Sequence, residues 1–196
     1  LEQVIKGLQE GGRRPSLLLH SCCAPCSSYC LEYLSPYFAV TVFYYNPNIS
    51  PKAEFDKRLE EEKRLIAEML PDKSIKVIEG IYDYNDFLKT VKGLENAAEG
   101  GERCFKCYRL RLEKTAELAK KMHFDYFCTT LSISPLKNAQ KINEIGFETA
   151  ERFGVNWLPS DFKKKEGYKR SIELSRQFRL YRQNFCGCVF SKKGED

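Results

Sequence analysis

Short apolar runs alternate with helix-like stretches along most of the chain, and this alternation constrains the fold more than any other feature. Residues 16–20 (SLLLH) read as a buried strand, and residues 38–45 (FAVTVFYY) are β-branched and aromatic apart from Ala39, hence a strand. Residues 74–78, 125–130 and 155–158 supply three further strands. Helical patterns fill residues 1–10, 27–35, 51–70, 84–92, 104–121, 138–153 and 167–181. The order predicts one α/β domain over residues 1–196, with a mostly parallel sheet and helices on both faces. Such sheets bind ligands beyond the carboxyl ends of their strands. The conspicuous loops fall on that edge: SCCAPC after the first strand, Asn46 to Ile49 after the second, TTLSISP after the fourth and Asp161-Phe162 after the fifth.

Composition agrees with a packed domain. The 196 residues are 42% hydrophobic and 13% aromatic, enough for one core and too apolar for a disordered tail. Net charge is only +5. No apolar run approaches the ~18 residues of a spanning helix, so no membrane association and a cytoplasmic location are expected. Thiols stay reduced there, and clustered cysteines then point to metal or redox chemistry rather than to staples.

The chain has nine cysteines, an odd number that intrachain disulfides cannot exhaust. They cluster: Cys22, Cys23, Cys26 and Cys30 in SCCAPCSSYC, Cys104 and Cys107 in RCFKCYR, Cys186 and Cys188 in FCGC, with Cys128 alone in a strand pattern. A two-residue gap lets two thiolates converge on one centre. Both C-x-x-C pairs open expected helices, where backbone N–H groups favour thiolate. The two pairs lie about 80 residues apart on different loops, unlike a compact zinc ribbon. With Cys30 and Cys128 set aside, seven candidate ligands remain; a cubane iron–sulfur cluster takes four thiolates, leaving three for a second metal ion or for electron relay. Structural zinc and plain thiol chemistry remain alternatives on the residues alone.

Cys128 reads as a small buried hydrophobe and Cys30 as a core residue. His20 ends the first strand beside the cysteines, as a hydrogen-bond donor to the site or as a structural histidine. His123 reads as a surface residue. Two basic runs stand near the C-terminal end: Lys163, Lys164, Lys165, Lys169 and Arg170, then Arg176, Arg179 and Arg182, interleaved with Phe178 and Tyr181.

Six segments, in order and at compatible spacing, resemble the QueH family of epoxyqueuosine reductases: HSCCAPCS, YNPNISPKAEFDKR, RCFKCYRLRLEKTA, TTLSISPLKN, DFKK with its following GY, and LYRQNFCGC. The resemblance spans nearly the whole chain. It implies reduction of epoxyqueuosine to queuosine at the wobble position of tRNA without cobalamin, using an iron–sulfur centre and a nearby metal. It also implies a nucleotide-hydrolase-like α/β fold shared with PP-loop tRNA-modifying enzymes. Here Ser21-Cys22-Cys23-Ala24-Pro25-Cys26 replaces their glycine-rich phosphate loop, so ATP use is not expected.

On that basis Cys23, Cys26, Cys104 and Cys107, with Cys22 as a replacement for one of them, are expected to hold a 4Fe–4S cluster. Cys186 and Cys188, aided by Asp161, would hold a second ion, iron or zinc, acting as Lewis acid on the epoxide oxygen. Asp161, His20, Tyr108 and Tyr181 are candidate proton donors by motif position. Glu54 and Arg58 face the site or form a surface pair. The basic runs would contact tRNA phosphates and bases, and an electron donor is needed. A thiol–disulfide oxidoreductase using Cys23 and Cys26, and a zinc-stabilised non-catalytic RNA-binding module, are the competing functions.

Overall fold

The computed structural model describes residues 1–72 and 74–191. Its five strands are β1 (Ser16–His20), β2 (Ala39–Tyr44), β3 (Lys76–Glu79), β4 (Tyr126–Thr129) and β5 (Asn156–Trp157). They form one sheet in the order β3-β2-β1-β4-β5, and each pairing is parallel. Seven helices connect and cover them: α1 (Glu2–Gly11), α2 (Ala24–Leu34), α3 (Lys52–Met69), α4 (Tyr84–Thr90), α5 (Glu102–Lys121), α6 (Ala139–Phe153) and α7 (Gly167–Gln177).

The side-chain alternation of β1 shows why its run is apolar on both faces. Leu17 and Leu19 pack with Leu31 and Leu34 of α2 and Ile66 of α3. Leu18 points the other way, to Leu112 and Ala116 of α5 and to Ile142 and Ile145 of α6. All three leucines are fully buried, and burial of one such side chain contributes about 1.5–3 kcal/mol. β1 is the central strand, with β2 and β4 on its two sides. His20 is in register with Phe43 and Thr129, so the three strands finish level and their following loops rise together. That crevice is where an open parallel sheet binds ligands.

Element types agree with the sequence pattern, and several boundaries differ. α2 starts at Ala24 rather than residue 27, because a proline is tolerated in the first turn and Pro25 sits there. α7 stops at Gln177 rather than 181: Arg179 takes a left-handed φ of 49°, and Leu180 turns back to bury against Ala24 and Leu65. β3 starts later than expected, at Lys76, and β5 shrinks to two residues. The TTLSISP loop contains a short 3-10 helix, Thr130–Ile133. Among the described residues no helix is long and apolar enough to cross a membrane.

Candidate metal centre

Cys22, Cys23 and Cys26 occupy the turn from β1 into α2. The turn is fixed by its backbone. Ser21 N–H donates to Phe43 O at 3.0 Å, and Asn46 Nδ2 donates to Ser21 O at 2.8 Å. Cys22 N–H donates to Thr130 Oγ1 at 3.3 Å. Cys23 is the extended N-cap of α2, and the N–H groups of Cys26 and Ser27 both donate to its carbonyl at 3.0 Å. The three sulfurs all lie within 4.8 Å of one another, with Cys22 Sγ 3.9 Å from Cys23 Sγ. Thiolates bound tetrahedrally to one zinc-sized ion at about 2.3 Å stand about 3.8 Å apart. The triad is therefore compact enough for its three sulfurs to ligate one ion.

The three thiols divide their protons unequally. Hydrogen bonds from Cys23 and Cys26 hold Cys22 well below the ordinary thiol range, against the effect of burial. The same bonds, together with burial, push Cys23 and Cys26 up. One thiolate is thus shared by two thiols.

A second sulfur group lies alongside. Cys104 and Cys107 sit on the first turns of α5; Cys186 and Cys188 belong to the segment after α7. All four line one small cavity of about 20 Å³, together with Arg103, Arg111 and Lys137. Gly100 N–H donates to Cys104 Sγ at 3.2 Å, and burial pushes Cys107 up to about 12. The C-terminal pair is tied down by Ser50 N–H donating to Gly187 O at 3.0 Å and by Arg58 Nη1 donating to Cys186 O at 3.1 Å. Gly187 needs to be glycine: its φ is +102°, and a Cβ would stand 2.8 Å from Ile49 Cγ1.

Both groups open on a cleft of about 1160 Å³, lined by Cys22, Cys23, Cys26 and Cys186 and by Arg58, Arg111, Lys137 and Arg182. Cys186, Arg111 and Lys137 line cleft and small cavity alike, so the two sulfur groups adjoin. Arg111 is almost fully buried; Nη1 donates to Asn46 Oδ1 at 3.2 Å and Nε to Cys107 O at 3.4 Å, whereas Nη2 has no partner. An orphaned guanidinium N–H among cysteines suits an anionic thiolate–metal centre. Burial opposes the charge of Lys137, but Cys186, Cys22, Cys26 and Tyr108 outweigh it and raise its proton affinity.

The grouping differs from the expected one. Cys22 joins Cys23 and Cys26, while Cys104 and Cys107 meet Cys186 and Cys188. Sequence separation carries no distance information here, since β1 and α5 meet across the sheet. Asp161 lines neither cavity; Lys163 Nζ engages its carboxylate at 2.9 Å. His20 is fully enclosed beneath the cleft. Its Nε2 must donate to Tyr45 O at 3.0 Å, so Nδ1 accepts from Thr129 Oγ1 at 2.8 Å. Burial and Arg111 hold the imidazole neutral, with its pKa lowered to about 3. Tyr108 lines the small cavity, and burial raises its phenol. Tyr181 is outside both cavities, its hydroxyl donating to Glu54 at 3.2 Å.

Cys30 and Cys128 are buried core residues, as expected. His123 is exposed. Arg58 is buried and bonded to Glu54 at 2.7 Å, on the cleft wall rather than in a surface pair. The first basic run is paired with carboxylates: Lys163 and Lys164 with Asp161, Lys165 with Glu2, Lys169 with Glu166, Arg170 with Glu32. Arg176 and Arg179 are exposed without an ion pair among the described residues, and Arg182 reaches the cleft. Sequence reasoning passed over Arg111 and Lys137. A lone Arg on a helix and a lone Lys in a loop look solvated until the fold turns both toward sulfur.

A parallel α/β sheet with two adjoining cysteine groups at its central crevice, one of them able to hold a metal ion, defines an α/β protein of the redox-enzyme kind. Residues 17–194 match the family described as epoxyqueuosine reductase QueH, and the chain belongs to that family. It is similar to the epoxyqueuosine reductase QueH of Staphylococcus epidermidis, 43% identical over 202 residues, covering 100% of this chain and 85% of the relative. The Streptococcus pyogenes protein of the same name is 42% identical over 98% of this chain and 76% of its own length. That of Thermotoga maritima is 37% identical, covering 90% of each.

Proposed function

We propose that the chain reduces epoxyqueuosine in tRNA to queuosine, a reaction located in the cytoplasm. The observation that carries the reading is the pair of adjoining cysteine groups on one cleft, in a chain of the epoxyqueuosine reductase family. The cleft exceeds the roughly 300–1,000 Å³ of ordinary small-ligand sites, enough for a nucleoside swung out of an anticodon loop.

Cys104, Cys107, Cys186 and Cys188 would hold a 4Fe–4S cluster, and Cys22, Cys23 and Cys26 a single ion, iron or zinc. When bound, such a pair supplies electrons singly and a Lewis acid for the epoxide oxygen. The chain's own residues do the rest. Arg111 offsets the thiolate charge through its unpartnered Nη2. Lys137 Nζ holds a proton at the cleft wall and donates it to the leaving oxygen. Arg182, Arg176 and Arg179 supply phosphate contacts at and beyond the rim. A one-electron donor protein or dye provides the electrons. The embedded histidine and the Lys-bound Asp161 have no part in proton delivery.

Anaerobic purification with iron, sulfide and zinc quantification, followed by turnover on tRNA bearing epoxyqueuosine, tests the reading. A brown protein with about four sulfides per chain and queuosine as product is expected. A colourless zinc protein without turnover favours the RNA-binding module instead, and dithiol activity the oxidoreductase.

A further inference from the structure

Glu62 interrupts the buried stripe of α3, between Leu59 and Leu65, and is fully enclosed. Neither carboxyl oxygen has a hydrogen-bond partner, and neither does the hydroxyl of Ser21. Buried polar groups are normally satisfied, so an acid and a hydroxyl left open together call for a reason. The hydroxyls of Ser27 and Ser21 are close enough to bear on the acidity of Glu62. Those two serines bracket the cysteine triad: Ser21 precedes Cys22 and Ser27 follows Cys26.

The ionisable groups facing Glu62 are Cys22 from the β1–α2 turn, Cys30 from α2, Tyr44 from β2, and Arg58 one turn earlier on α3. Tyr44 gives its hydroxyl hydrogen to Phe55 O, and Arg58 gives Nε to Glu54 and Nη1 to Cys186 O while its Nη2 has no hydrogen-bond partner. Burial raises the carboxyl to about 7; the serine hydroxyls oppose this and the charge on Cys22 adds to it. The acid therefore exchanges its proton near neutrality. A purely structural position on this stripe would be filled better by another leucine.

We propose that Glu62 is a proton store behind the cleft, passing its proton through the Ser21 hydroxyl to the Cys22 side of the cleft, where the departing epoxide oxygen takes it. This rests on the reductase reading. Converting an epoxide to an alkene breaks both C–O bonds, consumes two electrons and two protons, and releases water. The electrons come from the external one-electron donor. One proton comes from Lys137 Nζ and the other from the Glu62 O–H; the carboxylate left behind is refilled from solvent between turnovers. Glu62 touches no reacting atom, so it is a positioning residue for the proton.

Glu62→Gln keeps the volume and removes the proton. Infrared spectra of the metal-loaded protein should contain a carboxylic-acid carbonyl band that disappears as pH rises and is missing in Glu62→Gln. The substitution should lower kcat between about ten- and hundredfold with KM unchanged, and remove the alkaline fall in kcat. Glu62→Asp should restore part of both. A band that is absent or does not titrate overturns the proposal. So does a Glu62→Gln protein with normal kcat and the same alkaline limb while the wild type makes queuosine. If the wild type itself makes none, the reductase reading fails and the proton's destination fails with it.

Discussion

Arg58 Nη1 donates to the carbonyl of Cys186 at 3.1 Å, while Nε of the same guanidinium binds Glu54 at 2.7 Å. One buried side chain of α3 thus holds the segment carrying Cys186 and Cys188 against the cysteine triad. Its face also stacks against Phe185, 5.1 Å away.

Replacing this anchor should cost both stability and metal. Arg58→Met leaves Glu54 largely enclosed without its partner, a loss of about 3–5 kcal/mol for a broken buried pair. Denaturant midpoints should fall accordingly, and the metal content of the anaerobically purified protein should fall with them. Unchanged iron and sulfide content would show that the C-terminal pair needs no such anchor.

Two glycines should respond differently. In Gly146→Ala the new Cβ would run into the Trp157 ring, an overpacking that costs about 1–3 kcal/mol. Because this contact lies between α6 and β5, thermal stability should drop while metal content per folded chain stays the same. Gly187→Ala strains a left-handed residue between Cys186 and Cys188, so metal content should drop as well. Equal metal loss in both would contradict the assignment of the C-terminal pair.

His20 and Glu62 should give stability an unusual pH profile. Glu62 has a raised folded pKa, so its contribution is complete below 4.5 and is lost as pH rises through about 7. His20 has a lowered one, so its contribution is complete above 6.5 and is lost as pH falls toward about 3. Between 4.5 and 6.5 the two slopes oppose each other and melting temperature should be nearly flat. Glu62→Gln should uncover the histidine slope, with stability climbing until about pH 6.5. Parallel melting profiles for the two proteins would defeat this account.

Ion binding by the triad should be strongly proton-linked. Cys23 and Cys26 both hold their protons, so an entering ion must displace about two of them. With cobalt as a coloured probe of the metal-free protein, the logarithm of affinity should rise with pH at a slope of about two. A slope of zero would mean that the triad is not the site of entry.

The basic surface should act through few of its charges. Arg176→Ala with Arg179→Ala should weaken tRNA binding and reduce its salt dependence by about one unit for each arginine. Lys165→Ala and Lys169→Ala should do less, because Glu2 and Glu166 already engage them. Equal effects from both pairs would mean that these ion pairs open on binding.

The fold was legible because parallel strands buried on both faces have continuous apolar runs, as in Leu17 to Leu19. Helix ends were less so: the left-handed turn at Arg179 depends on where Leu180 can be buried, which is a tertiary matter. The cysteines themselves were legible from spacing. Their partition was not, since adjacency of Cys107 and Cys188 arises only when α4 and α5 pack with the distant segment. Charged residues were hardest. Glu60, Glu61 and Glu62 look alike on a charged helix until packing encloses Glu62 and leaves Glu60 in solvent. Nothing in the run around Asp161 singles out Lys163 as the partner of its carboxylate.

The entrance to α2 carries a consequence for ligand choice. At the corresponding corner of many α/β sheets a helix presents free amide hydrogens to a hard, oxygen-rich anion. Here Pro25 has no N–H, and the amides of Cys26 and Ser27 are spent on Cys23 O, leaving Ala24 alone in that first turn. The corner has become a donor of soft electron pairs rather than an acceptor of negative charge. It discriminates by thiophilicity, and so favours cadmium or cuprous ions over the phosphates of a nucleoside triphosphate.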